Sequence, residues 1–164
     1  MLATLLIVFG IGMTLRSLTR RVSQPLPATP ICPQPAPRPN LDCSGLSRTG
    51  IASFYARRFG GRNMADGTPM RLHGDNAASK TLPLGTTATV INLETGKSAI
   101  ITIRDRGPYV RGRIVDLSPA TAQKIGIGRK EGLAKVQVAP IAVPLPDGTI
   151  KRGIAAAGES SRKF

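Results

Sequence analysis

The stretch Ile101–Ser118, ITIRDRGPYVRGRIVDLS, sets two carboxylates, Asp105 and Asp116, among four arginines. Its first half alternates: Ile101, Ile103 and Asp105 fall on one face of a predicted strand, and Thr102, Arg104 and Arg106 on the other. Asp105 is therefore expected to face as the isoleucines do, with both neighbouring guanidiniums directed away from it. Gly107-Pro108 ends the strand, because proline has no amide hydrogen for a ladder. Strand ends beside turns are where rigid scaffolds often carry catalytic groups, so Asp105 is the candidate acid-base residue. The alternative is that Asp105 accepts hydrogen bonds from the Arg106-Gly107 turn and only shapes the loop. Asp116, just before Ser118, reads as a structural acid that bonds backbone amides or favours the positive end of a helix.

That helix is signalled by Ser118-Pro119: a serine oxygen accepts from free amides, proline suits the first helical position, and Gly126 is placed to end the helix. Upstream, Thr86–Leu93 and Ser98–Arg104 are rich in β-branched residues and are joined by Glu94-Thr95-Gly96-Lys97, a hairpin signal. A strand is expected near Ile51–Arg57, followed by a long irregular loop from Phe59 to Gly74 that walls a cleft. A last strand is expected at Leu133–Val138. Several short strands with one or two small helices suit a small closed barrel.

The chain has 164 residues, 41% hydrophobic but only 4% aromatic and without tryptophan, so its core must be small and aliphatic. Lysine and arginine outnumber aspartate and glutamate 23 to 9, for a net charge of +14. Residues 49–143 alone carry 14 basic and 6 acidic side chains, so the folded part is itself basic. Such a surface attracts polyanions, whether nucleic acid, anionic membrane or wall polymer, unless it is simply a solvated exterior. Four Phe, two Tyr and no long basic helix argue against nucleic acid. His73 is the only histidine, which leaves no metal-ligand cluster, and no cofactor is expected.

Together with Gly50-Ile51-Ala52-Ser53-Phe54-Tyr55, Ala65-Asp66-Gly67 and the run Ala77–Thr86, AASKTLPLGT, the Ile101–Ser118 segment resembles the RlpA (rare lipoprotein A) family, over roughly Gly50 to Val138. The resemblance implies a mainly β fold, a six-stranded double-psi β-barrel with one or two short helices. It also implies a bacterial cell-envelope location and endolytic lytic transglycosylase activity, which cleaves peptidoglycan between N-acetylmuramic acid and N-acetylglucosamine and leaves 1,6-anhydro-muramic ends. Two family positions are altered: Ser79 stands where the family has histidine, and Thr68 where it has glutamate. Of three implied acid-base positions only Asp105 is retained. Asp66 is a candidate second carboxylate, and Ser79, Lys80, Tyr55 and Tyr109 are candidate substrate contacts: a hydroxyl, a cation and two rings for a sugar. A barrel that binds glycan without cleaving it is the alternative, and a basic nucleic-acid-binding barrel a third.

Outside residues 49–143, the expected barrel domain, the chain divides into three further segments. Residues 1–21 open with an uncharged apolar run, Met1–Leu15, followed by Arg16, Arg20 and Arg21. At 15 residues it is short for a bilayer span and suits a signal peptide or an N-terminal membrane anchor. Residues 22–48 are proline-rich, an extended tether, in which Cys32 and Cys43 either close a small disulfide loop or remain thiols. Residues 144–164 lack a clear period and read as a loosely packed tail.

Overall fold

The structure, a computed structural model, describes residues 40–156. The apolar segment 1–15, the proline tract Pro25–Pro39 with Cys32, and residues 157–164 lie outside the described residues. Among the described residues there are seven strands: β1 (Arg48–Phe54), β2 (Asn76–Ala78), β3 (Thr87–Asn92), β4 (Ser98–Asp105), β5 (Arg113–Leu117), β6 (Ala134–Pro144) and β7 (Ile150–Arg152). They are hydrogen-bonded in the order β1-β5-β2-β4-β3-β6-β7, and a further β1–β6 pairing closes the first six into a ring. Two pairs, β1–β5 and β2–β4, are parallel, while the other pairings are antiparallel. This is the expected six-stranded double-psi β-barrel.

The core inside the ring is aliphatic. Val90, Ile101, Ile103, Val115, Leu117 and Val136 are fully buried and belong to one cluster. Burying each such side chain contributes about 1.5–3 kcal/mol. The predicted hairpin forms, with β3 and β4 antiparallel across Leu93–Lys97. The predicted helix is α1 (Pro119–Lys124), where the Ser118 hydroxyl accepts from the Thr121 amide at 3.1 Å and Pro119 begins the first turn. Gly126 follows with φ +84°. Among the described residues no helix is long and apolar enough to cross a membrane.

Two features depart from the sequence reading. The residues after Val143 are not loose as far as Ala156: β7 adds antiparallel to β6 outside the ring. The Gly153 amide then donates to Ile141, and the Ile154 amide to Gly45. Periodicity did not signal this because the attachment depends on close approach. A Cβ on Gly153 would lie 2.2 Å from the Pro140 carbonyl oxygen, so only glycine lets the backbones meet. The second departure is in β4, where the register shifts between Ala77 and Ala78, so that Ala77 lies opposite Ile103 and Ala78 opposite Asp105. Neighbouring residues of β2 face opposite sides of the sheet. The shift therefore turns Asp105 away from the buried isoleucines, onto the outer face of the ring.

Candidate active site

On that outer face Ala78 is flanked on both sides. Asp105 lies opposite it on β4, and Asp116 opposite it on β5. Two strand spacings, about 9.5 Å, separate their α-carbons. Ser53 of β1 lies opposite Asp116 in turn. A row Asp105–Ala78–Asp116–Ser53 thus crosses four neighbouring strands, with the side chains on one face.

Asp105 is held by three donors. The Tyr55 hydroxyl donates to Oδ2 at 2.8 Å, and the amides of Ala65 and Arg106 to Oδ1 at 3.0 and 2.8 Å. The Ala65 amide comes from the irregular loop, which is folded over this end of β4 as a wall. Burial raises the Tyr55 hydroxyl well above the ordinary tyrosine range, and the hydrogen bond to Asp105 and the charges of Asp105 and Asp116 add to the shift. Tyr55 is thereby kept as a neutral donor.

Asp116 has different surroundings. Its carboxylate accepts a hydrogen bond from the Ser53 hydroxyl, and the Arg113 guanidinium donates to the same hydroxyl at 3.3 Å. Burial nevertheless pushes the Asp116 pKa up, helped by the charge of Asp105 and opposed by the Ser53 bond and Arg113. Strict alternation would put Arg113 and Asp116 on opposite faces. A second register shift, between Ile51 and Ala52, sets Arg113 opposite Ile51 and brings it to the face of Ser53 and Asp116. Asp116 does not cap the helix; Ser118 does. The arrangement is two carboxylates with different environments, each accepting from a hydroxyl at the β1 end.

The lytic transglycolase family matches residues 47–138, more than half of the chain and all of this row. The chain belongs to the RlpA family. It is 46% identical over 98 residues to an endolytic peptidoglycan transglycosylase RlpA of Pasteurella multocida, which covers 59% of this chain and 33% of that protein. It is 42% identical over 100 residues to the RlpA of Pseudomonas aeruginosa strain UCBPP-PA14, covering 61% of this chain and 29% of that one. The chain thus spans about a third of the length of the curated RlpA relatives it matches. Among solved structures, a Streptomyces papain inhibitor is similar over 58% of this chain and 94% of its own, with 22% identity and a TM-score of 0.45.

The other sequence-derived candidates separate. At the RlpA histidine position Ser79 is buried, and its hydroxyl accepts from the amides of Thr81 and Leu82 at 3.4 and 3.2 Å, so it serves the loop. At the RlpA glutamate position Thr68 donates from both its amide and its hydroxyl to Asp66. The Asp66 carboxylate accepts from Thr68 and from the Arg104 guanidinium. Burial would raise its pKa, but the bonds from Thr68 and Arg104 outweigh that and hold its carboxyl below the usual carboxylate range. Its ion pair with Arg104 measures 3.2 Å. Arg106 bonds the carbonyls of Ser79 and Leu82 at 3.1 and 2.6 Å, so neither flanking guanidinium pairs with Asp105. Tyr109 is 80% exposed on the turn after Asp105, and Lys80 and His73 are exposed. Among the described residues no group of His, Cys, Asp and Glu is arranged to hold a metal ion.

Proposed function

We propose that the chain is an endolytic lytic transglycosylase acting on peptidoglycan glycan strands in the bacterial cell envelope, between N-acetylmuramic acid and N-acetylglucosamine. The observation that carries this reading is the carboxylate pair either side of Ala78, with unlike environments on one face of the ring. Residues 1–15 would serve as the export signal or membrane attachment.

A transglycosylase needs one group that gives a proton to the glycosidic oxygen and later takes one from the C6 hydroxyl. It also needs negative charge near the anomeric carbon. Asp116, whose pKa is raised by burial, suits the first task. Asp105, with both oxygens accepting from Tyr55, Ala65 and Arg106, is fixed as an acceptor and suits the second. In this scheme Asp116 protonates the leaving oxygen and the C1–O bond breaks, while Asp105 stabilises the charge that develops at C1. The C6 oxygen then bonds C1 and its proton returns to Asp116. No water is consumed, and an anhydro end results. The scheme reassigns the proton transfer from Asp105, the expectation from its strand-end position and the family resemblance, to its neighbour across Ala78. It requires neither the histidine nor the glutamate that Ser79 and Thr68 replace.

The test is incubation of the full chain with glycan strands freed of peptides, followed by mass spectrometry for anhydro-muramic ends, beside Asp116→Asn and Asp105→Asn. Anhydro ends from the parent chain and a loss of about 100-fold or more in each variant are expected. Strand binding without anhydro ends would overturn the enzyme in favour of a glycan-binding barrel. Products undiminished in Asp116→Asn would overturn the assigned roles.

A further inference from the structure

A cavity of about 170 Å³ opens where the loop after β2 meets the start of β5; Arg113 lines it and links it to the Ser53–Asp116 bond. Its apolar wall includes Leu82, Ile114, Val115 and Val138, and its cations are Arg48, Lys80 and Arg113. The cations differ in what they already hold. Arg48 is paired with Asp42 at 2.7 Å. Neither Lys80 nor Arg113 forms a salt bridge among the described residues, although the Arg113 charge acts on Asp116. Arg113 also reaches out of the cavity to the Ser53 hydroxyl that bonds Asp116, so whatever the cavity holds is coupled in position to the pair. The cavity thus offers the guanidinium of Arg113, part of whose fork is bonded to Ser53, and an exposed ammonium above an aliphatic floor. A fork of this shape suits a planar carboxylate, and the floor suits a methyl or methylene group that carries it.

We infer that this cavity is a subsite for a carboxylate on a short branched apolar arm, which fixes the register of the bound strand. This rests on the function proposed above. In an alternating glycan only the muramic sugar carries such an arm, either as its lactyl acid or extended by the first residue of a peptide. Seating the arm between Lys80 and Arg113 would place every muramic residue, and none of the glucosamines, on the same side of Asp116.

The test is a titration of the isotope-labelled full chain, followed by the amide resonances of Lys80, Thr81 and Arg113. Four probes are used: N-acetylmuramic acid, its methylamide, N-acetylglucosamine and N-acetylmuramoyl-L-alanine. The free acid is expected to move these resonances, and the methylamide and glucosamine to leave them in place. Lys80→Met, a change at an exposed position, should weaken binding about tenfold, or about 1.4 kcal/mol. If the alanine derivative binds better than the free acid, the peptide is the source of the carboxylate; if worse, the lactyl group is. Equal binding of glucosamine or the methylamide overturns the inference, as does an unchanged affinity in Lys80→Met or no response at these residues up to the solubility limit. Anhydro-end formation is measured separately, so a chain that cleaves without discriminating the acid refutes the subsite alone. One that discriminates without cleaving refutes the catalytic reading alone.

Discussion

Tyr55→Phe removes one oxygen, and the structure says what that oxygen does. It donates to Asp105 Oδ2 at 2.8 Å, while the ring beneath it packs edge-on to Phe59 with centroids 6.1 Å apart, a contact phenylalanine keeps. A hydrogen bond to a charged group contributes about 1.5–3 kcal/mol. Asp105 is only half-buried and retains the Ala65 and Arg106 amides, so water replaces part of the loss and about 1–1.5 kcal/mol is expected. For a barrel of this size, about 4 °C per kcal/mol gives a fall in Tm of about 4–6 °C by calorimetry. The cycle with Asp105→Asn should return a coupling of about 1 kcal/mol. The variant should also differ in alkali. Because the folded chain keeps the Tyr55 proton and the unfolded chain loses it near pH 10.0, the stability from Tyr55 is complete below that pH and declines above it. Tyr55→Phe has no such decline, so the gap between the two proteins should narrow as pH rises. An unchanged Tm, or no coupling with Asp105, would refute the claim that Tyr55 fixes the carboxylate.

Asp116 obeys the same linkage in the acid range. Burial raises its pKa above the ordinary 3.8, so its contribution to stability is complete below that value and lost as pH rises through the folded pKa. Asp116→Asn should therefore be more stable than the parent at neutral pH, with the advantage vanishing below about pH 4, as urea titrations at the two pH values would reveal. Arg106→Met removes the donor to the Ser79 and Leu82 carbonyls and should cost about 2 kcal/mol. Hydrogen exchange should quicken at the amides of Thr81 and Leu82 while the β3–β4 ladder stays protected.

The elements with strong local chemistry were legible in the sequence. Ser118-Pro119 and Gly126 bracketed the helix, and Gly96 marked the hairpin between β3 and β4, because caps and turns depend on residues a few positions apart. The barrel was legible through family resemblance and the density of short strands. What could not be read was how strands meet. Alternation assigned Asp105 to the isoleucine face and gave no reason to join Asp116 to it. The reversal of Asp105's face comes from a register shift, which arises between strands rather than within one. Ser53 and Arg113 were missed for the same reason, since their significance lies in facing Asp116. Asp66 was proposed by proximity in sequence to the glutamate position, yet its side chain is held by Thr68 and Arg104 instead.

The closure of the ring also constrains time. β1 has no partner until β5 and β6 exist, and Arg48 pairs with Val138 near the other end of the barrel. Among the described strands only the β3–β4 and β6–β7 hairpins are local, and the second adds outside the ring. A chain emerging from the N-terminus therefore leaves Ala52 and its neighbours without shelter until nearly the whole domain is made, and pairings this distant place folding in the millisecond-to-second range. Until then the polypeptide has no closed ring to shelter β1, so a fold that begins and ends at one seam is completed only when its last ring strand is made.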